Sequence, residues 1–272
     1  MVRNLKLLIM IPHLLLRDNS LDSTHILILE ALIISMYQLA LMQRGVNTLS
    51  LTYLSRVTGL SIATVYRKVL ELLSMGLVEK VGRGQYVVTT RGALLLSVLY
   101  LTNAIRVNDA AFKYAVTKLR EDWGLGEFTD DEVRAYVSLL IRGLTRLGRK
   151  ISDFCANNLG RTVLALLPDS LRIGTKSLDL VISETLNTPL DFVRRAERVI
   201  AKALLELLPV VTLSDGCKAA LIIEDSAGKP VIRPVAVKCR VNGYTLRPNC
   251  PILMAMINKG DLLKTFHSYE SK

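Results

Sequence analysis

Thr64, Tyr66, Arg67 and Lys68 fall within five consecutive residues, Ser61 precedes them, and Arg83 stands between Gly82 and Gly84 further along the chain. Hydroxyls, a phenol, a guanidinium and an ammonium grouped in this way donate hydrogen bonds and neutralise anions. They lack the acid, base or nucleophile pairing that bond-breaking chemistry needs. A guanidinium is a planar set of donors that matches a phosphate or the acceptor edge of guanine, and an arginine flanked by glycines on a protruding turn can enter a minor groove or clamp a phosphate. The chemistry open to this set is therefore recognition of a polyanion, provided that Thr64, Arg67 and Lys68 share the outer face of one helix.

Residues 48–92 contain the elements that would place them so. The stretch reads as two short helices, a turn, a third helix and a β-hairpin. Leu51, Leu54 and Val57 form one apolar stripe, Thr58-Gly59 breaks that helix, and Ser61 caps the next, whose buried face is Val65, Val69, Leu72 and Leu73. Thr64, Arg67 and Lys68 then take the opposite face with Tyr66 at its edge. The runs 77–81 and 85–89, rich in β-branched residues, meet at Gly82-Arg83-Gly84 and predict a hairpin with a cationic tip. Residues 24–42 predict the first helix of the same domain, with Glu30 inside it and Gln38 further on arguing against a membrane span. That helix is apolar on nearly all sides, and residues 92–105 predict another like it. Their surplus of apolar surface predicts a homodimer, which would set two recognition helices about one DNA turn apart, or else cover by the rest of the chain.

The pattern Ser61-x-x-Thr64-Val65-Tyr66-Arg67-x-x-x-x-Leu72-x-x-x-Gly76-Leu77-Val78 resembles the recognition helix and following strand of the winged helix-turn-helix transcription regulators of bacteria and archaea, the broad sort that includes the multiple-antibiotic-resistance and arsenical-resistance repressors. The likeness covers about a third of the chain. It implies that Thr64, Tyr66, Arg67 and Lys68, with Ser61 at the helix start, face the major groove of double-stranded DNA and that Arg83 makes the wing contact. The function it implies is a sequence-specific DNA-binding transcription regulator. Winged helices also dock proteins, so an architectural, chromosome-segregation or assembly factor, binding DNA non-specifically or binding protein, is the second reading.

A length of 272 residues predicts two domains: a winged helix-turn-helix domain with its apolar N-terminal and dimerisation helices over 1–105, and an α+β effector or dimerisation domain over 106–272. The net charge of +11 favours a polyanionic partner; residues 1–100 hold ten Lys/Arg against five Asp/Glu, and the remainder 25 against 19. Half of the residues are hydrophobic, but the run 5–16 is too short to span a bilayer and is broken by Pro12 and His13, and no small-residue cleavage site follows Arg3 and Lys6. The expectation is a cytoplasmic, nucleoid-associated protein with no membrane partner. Scarce glutamine beside abundant Leu, Ile, Arg and Lys fits a heat-adapted, archaeal-like composition.

In the second half, 107–122 predicts a helix ended by Trp123-Gly124, and Thr129 caps another reaching about residue 147, with Asp130, Asp131 and Glu132 in its first turn. Helices over 150–167 and 176–186 follow, and Thr188-Pro189 opens one through Leu208. The runs 217–224 and 231–241 are strand-like, Asn242-Gly243 turns the chain into 244–247, and Pro251 starts a last helix. The fold class is thus mainly α with small β: the winged helix-turn-helix domain, then helices, a three-stranded antiparallel meander and a closing helix.

No Walker-type or strand-linked G-x-G-x-x-G run and no G-x-S-x-G elbow occurs, and His13, His25 and His267 lack metal-binding spacing and read as surface or helix-end residues. The sequence therefore predicts no enzyme, no cofactor and no metal. Cys155, Cys217, Cys239 and Cys250 lack a C-x-x-C pair. If the chain turns near 226–228, Cys217 falls opposite residue 238 or so, which makes Cys217 and Cys239 candidates for a cross-strand disulfide or thiol sensor, beside the plainer reading of inert buried thiols and that of scattered zinc ligands. The stretch from Cys239 to Gly243 and Cys250 to Leu253 is similar at a few positions to the end of the small-molecule-binding domains related to 4-vinyl reductase, which implies a small-molecule effector. Two helical rows, Arg142, Arg146, Arg149 and Lys150, and Arg194, Arg195, Arg198 and Lys202, either extend a DNA track or form solvated faces partly paired with Glu197 or Glu206.

Overall fold

In the computed structural model, the helix α1 (Ser23–Leu41) is apolar on nearly all sides because most of them are covered by its own chain. It meets β1 (Leu49–Ser50), α2 (Leu51–Thr58), α3 (Ile62–Ser74), β3 (Gln85–Val88), α4 (Thr90–Thr102) and α5 (Asp109–Asp122). Ile26, Ile28, Leu29, Leu32 and Ile33 are at most 2 % exposed. The structure describes residues 21–41, 49–103, 105–155, 178–208, 210–214, 216–226, 229–241, 243–246 and 250–258. The run 5–16, His13, His267 and the expected helix beyond Cys155 lie outside them. The chain divides into two compact units, Met1–Ile141 and Arg142–Lys272.

The first unit is built on the helix-turn-helix and its hairpin. β2 (Val78–Gly82) pairs antiparallel with β3, and β3 pairs with β1 through Leu49 opposite Tyr86, giving the order β1-β3-β2. Two of the expectations for 48–92 need correction. The stretch holds two helices rather than three, because residues 49–50 are drawn into the sheet edge by β3. Val57 is half exposed rather than part of the buried stripe, which leaves Leu54 alone fully buried on α2.

Unit one extends past residue 105, where the sequence places its boundary, because α5 lies on α1 and α4. Tyr37 stacks on Tyr114 with centroids 5.0 Å apart, and Tyr100 on Phe112 at 3.9 Å. The Tyr37 hydroxyl donates to Glu121 over 2.7 Å, and the Asn108 N–H donates to the Glu30 carboxylate. Residues 92–99 of α4 are buried throughout. The apolar surplus that predicted a partner subunit is thus largely consumed inside this unit. Glu30, whose pKa burial pushes up, is an acceptor for the start of α5.

Gly92 shows how closely α4 meets the hairpin base. A Cβ there would lie 2.3 Å from the Leu77 carbonyl oxygen and 2.9 Å from Val88 Cγ1. Thr89 caps α4 through the Gly92 N–H (3.1 Å) and donates its hydroxyl to the Gly76 carbonyl (2.7 Å), so one residue joins helix, strand and the Gly76 turn. α6 (Asp130–Cys155) begins in a reciprocal cap: Thr129 N–H donates to Glu132, and Glu132 N–H to the Thr129 hydroxyl. The helix continues past residue 147 without the break expected near 150.

The second unit contains α7 (Leu178–Leu186), α8 (Leu190–Leu207), a four-stranded antiparallel sheet and α9 (Pro251–Asn258). The sheet runs β4 (Val210–Ser214), β5 (Cys217–Ser226), β6 (Lys229–Cys239), β7 (Gly243–Thr245) in that order, one strand more than the predicted meander. Alternation along the strands sorts its faces. Val211, Ala219, Leu221 and Val237 form a core cluster with Leu253 of α9. Ala220 pairs with Ala236 and Lys238 with Tyr244, and α8 reaches that face with the Lys202 ammonium 4.2 Å from the Tyr244 ring centroid. At the start of α8, Pro189 takes the cap position and the Thr188 hydroxyl bonds back to the Leu186 carbonyl instead of capping. No helix among the described residues is long and apolar enough to cross a membrane.

Candidate nucleic-acid interface

The turn between α2 and α3 is held by its own side chains. The Thr58 hydroxyl donates to Leu54 O (2.7 Å), the Ser55 hydroxyl to Leu60 O (2.6 Å), and Gly59 supplies a φ of 71° that ends α2. Ser61 then caps α3, accepting from the Thr64 N–H at 3.1 Å and sharing a 2.9 Å hydrogen bond with the Thr64 hydroxyl. Val65, Val69 and Leu72 are fully buried, so the rotation of α3 about its axis is fixed. Leu73, expected with them, is only partly buried.

That rotation turns Arg67 outward with 71 % of its side chain exposed, its Nε 4.0 Å from Glu71. Tyr66 is 49 % exposed beside it, Ser61 is exposed, and Thr64 is half-buried. Lys68 is placed differently. Its ammonium lies 2.8 Å from Asp22 and 2.9 Å from Glu71, and only 13 % of the side chain is exposed. His25, 1 % exposed, completes the group, with Nε2 2.7 Å from Glu71 and Nδ1 accepting the Asp22 N–H. The sequence reading of His25 as a helix-end residue holds for its position, while its burial does not suit a surface residue.

The charges of this group are mutually stabilised. Partial burial acts to raise the Asp22 pKa, but the hydrogen bonds from Lys68 and from the His25 N–H, with the positive charge of Lys68, outweigh it and hold the carboxyl at about 2. The Lys68 hydrogen bond likewise lowers Glu71, and the bonds to Asp22 and then Glu71 raise Lys68. The set ties the inner flank of α3 to the start of α1. Sequence spacing carried only a weak sign of it, in Asp22 and His25 three apart at a helix start.

Arg83 is exposed in the turn that joins β2 to β3, where Gly84 has a φ of 68°, and Lys80 is exposed on β2. The wing cation thus stands on a short antiparallel hairpin whose first strand contacts α3. Exposed apolar side chains accompany these cations. Ile62, Leu70 and Val81 are 51, 44 and 50 % exposed, and the sequence reading passed over them. Their spacing outside the Val65, Val69, Leu72 stripe was the available signal.

The remaining candidates lie in the second unit. Lys218 is opposite Lys238, so continuing the register by one residue sets Cys217 opposite Cys239, and the Arg240 N–H donates to the Cys217 sulfur over 3.4 Å. Both are half-buried thiols, and Cys239 and Cys250 pack against the core cluster. The row on α8 is not a continuous cationic face: Arg194 bonds the buried Asp179 at 3.3 Å, Lys202 is buried, and Glu197 accepts from the Thr245 hydroxyl and the Leu246 N–H. Of the row on α6, Arg142 is exposed, and the side chains of Arg146, Arg149 and Lys150 lie outside the described residues. No group of His, Cys, Asp or Glu among the described residues is arranged to hold a metal ion.

Residues 39–82 match the family model of the IclR helix-turn-helix domain. The matched stretch takes in β1, α2, α3 and β2, and so the turn, the cap and the outward arginine described above. Neither the comparison with curated proteins nor that with solved structures finds a match. Residues 39–82 are thus similar to the IclR type of helix-turn-helix DNA-binding domain, and this supports a DNA-binding transcription regulator of the broad winged-helix sort.

Proposed function

We propose that the protein is a sequence-specific transcription regulator that lays α3 in the major groove and sets Arg83 of the wing on the adjacent backbone or minor groove. The observation that carries the reading is the outward Arg67 on a helix whose rotation is fixed by the Ser61 cap and by Val65, Val69 and Leu72. Ser61, Thr64 and Tyr66 supply further donors along the same helix. Lys68 acts within this reading as a tether of α3 rather than as a phosphate clamp. The second unit is the effector-sensing or oligomerisation part. There Cys217 and Cys239 form a dithiol that peroxide would close to a disulfide, the peroxide being reduced to water; intact mass after treatment would fall by two hydrogens, and an unchanged mass would exclude it. Homodimerisation has lost the support of uncovered apolar helices, and it remains in the reading as the arrangement that would present two α3 helices to a two-fold site.

The test is the affinity of the full chain for DNA from its own upstream region against random duplex at one fixed salt concentration. A regulator gives a ratio of at least about a thousandfold. A ratio near one with tight binding would favour the architectural reading, and an absence of binding would remove both.

A further inference from the structure

The outer side of α3 is cationic at its centre and apolar along one flank. Ile62, Tyr66 and Leu70 recur every four residues and are 51, 49 and 44 % exposed, so they form one row along the helix. Single exposed apolar side chains are ordinary on protein surfaces, whereas three in a row on one helix form a contiguous strip of the kind that suits an interaction surface. The row is separate from the inner face, where Val65, Val69 and Leu72 are fully buried, and separate from the flank that Lys68 and Glu71 tie to Asp22. Ala63 and Arg67 are exposed between the two flanks, a small side chain beside a long donor, which leaves room for a close approach of this surface to its partner.

Resting on the DNA-binding reading above, we propose that Ile62, Tyr66 and Leu70 pack against the C5-methyl groups of thymine, so that A·T pairs are read by apolar contact next to the position read by Arg67. The argument is one of complementary chemistry. Base edges in the major groove present donors and acceptors, and the one apolar group among them is the thymine methyl. An apolar row with only acidic or neutral neighbours would suit a protein partner. This one is accompanied by exposed cations on three neighbouring elements, Arg56 on α2, Arg67 on α3, and Lys80 and Arg83 on the hairpin, and that combination suits a polyanion with methyl groups on its floor.

The probe is a set of short duplexes enriched by the full chain from a random library, amplified once with thymidine triphosphate and once with deoxyuridine triphosphate. The two pools have the same base pairs and differ in the C5-methyl group alone. The wild type is expected to bind the uracil pool more weakly, by about fourfold for each methyl that it buries. Ile62→Ala and Leu70→Ala, both at exposed positions, are expected to bring the thymine-to-uracil ratio towards one while leaving the salt dependence as in the wild type. Equal binding of the two pools by a wild type that still selects its duplexes would overturn the methyl contact and leave the DNA-binding reading standing. Enrichment of no duplex at all would remove that reading and this inference with it. A change of oligomeric state in Ile62→Ala, with the thymine-to-uracil ratio retained, would assign the row to a second copy of the chain and overturn the proposal as well.

Discussion

Arg67 and Lys68 are neighbours with the same formal charge and opposite situations. Arg67 projects with 71 % of its side chain exposed, while Lys68 is held between Asp22 and Glu71. Arg67→Ala is expected to cost about 1–3 kcal/mol of specific DNA affinity, the range of a lost bidentate base contact, read by fluorescence anisotropy against the selected duplex. Lys68→Ala is expected to lower the melting temperature while leaving the slope of log affinity against log salt as in the wild type; a slope reduced by about one would mean that Lys68 meets a phosphate. Asp22 adds a pH dependence of known sign. Its folded pKa of about 2 lies below the ordinary value of 3.8, so its contribution to stability is complete above about pH 4 and is lost as the pH falls through the folded value. Because half of the side chain is exposed, solvent screening limits that contribution to about 1 kcal/mol or less. Acid titration of Asp22→Asn should show a smaller loss of stability between about pH 4 and 2 than the wild type. An identical loss in the two proteins would mean that the Lys68 pair does not stabilise the fold.

At the scale of elements, the helix-turn-helix depends on fixing the direction in which α3 points, and this is done at its two ends. Ser61 sets the first turn, so Ser61→Ala is expected to cost about 1 kcal/mol in chemical denaturation, the usual worth of such a cap. At the far end the hairpin is seated by α4, where Gly92 lies too close to Leu77 and Val88 for any side chain. Gly92→Ala is expected to destabilise the protein by about 1–3 kcal/mol through overpacking and to weaken DNA binding by displacing the wing. A Gly92→Ala protein with wild-type stability would show that α4 can withdraw from the hairpin at little cost.

Seen across the whole molecule, the first unit was more legible in the sequence than the second. The cap at Ser61, the stop at Gly59 and the hairpin about Arg83 depend on residue types with strong local preferences, and they stand where spacing put them. The expected strands 217–224, 231–241 and 244–247 became β5, β6 and β7, while β4 was missed because it is short and follows directly on α8. What spacing could not supply was contact between distant parts of the chain. The cover of α1 and α4 by α5 depends on Tyr37 meeting Tyr114 and Tyr100 meeting Phe112, and the capture of Lys68 depends on Asp22, far back in sequence. Surplus apolar helices therefore raised the expectation of a second subunit, and a neighbouring helix of the same chain covers much of that surface. The site was legible as a set of polar residues, and the apolar row beside it was passed over, its one signal being that Ile62 and Leu70 fall outside the stripe of Val65, Val69 and Leu72.

The central claim is that the outward face of α3 and the wing lie against double-stranded DNA, and hydroxyl-radical oxidation of side chains, followed by mass spectrometry with and without the selected duplex, tests it most directly. Tyr66 and Leu70, at 49 and 44 % exposure, should be oxidised readily in the unbound protein. Bound duplex should protect both, together with Val81 of the wing, while exposed Val241 and Ile252 of the second unit react as before. Unchanged oxidation of Tyr66 and Leu70 in a protein saturated with its duplex would place the DNA on another surface and contradict the account.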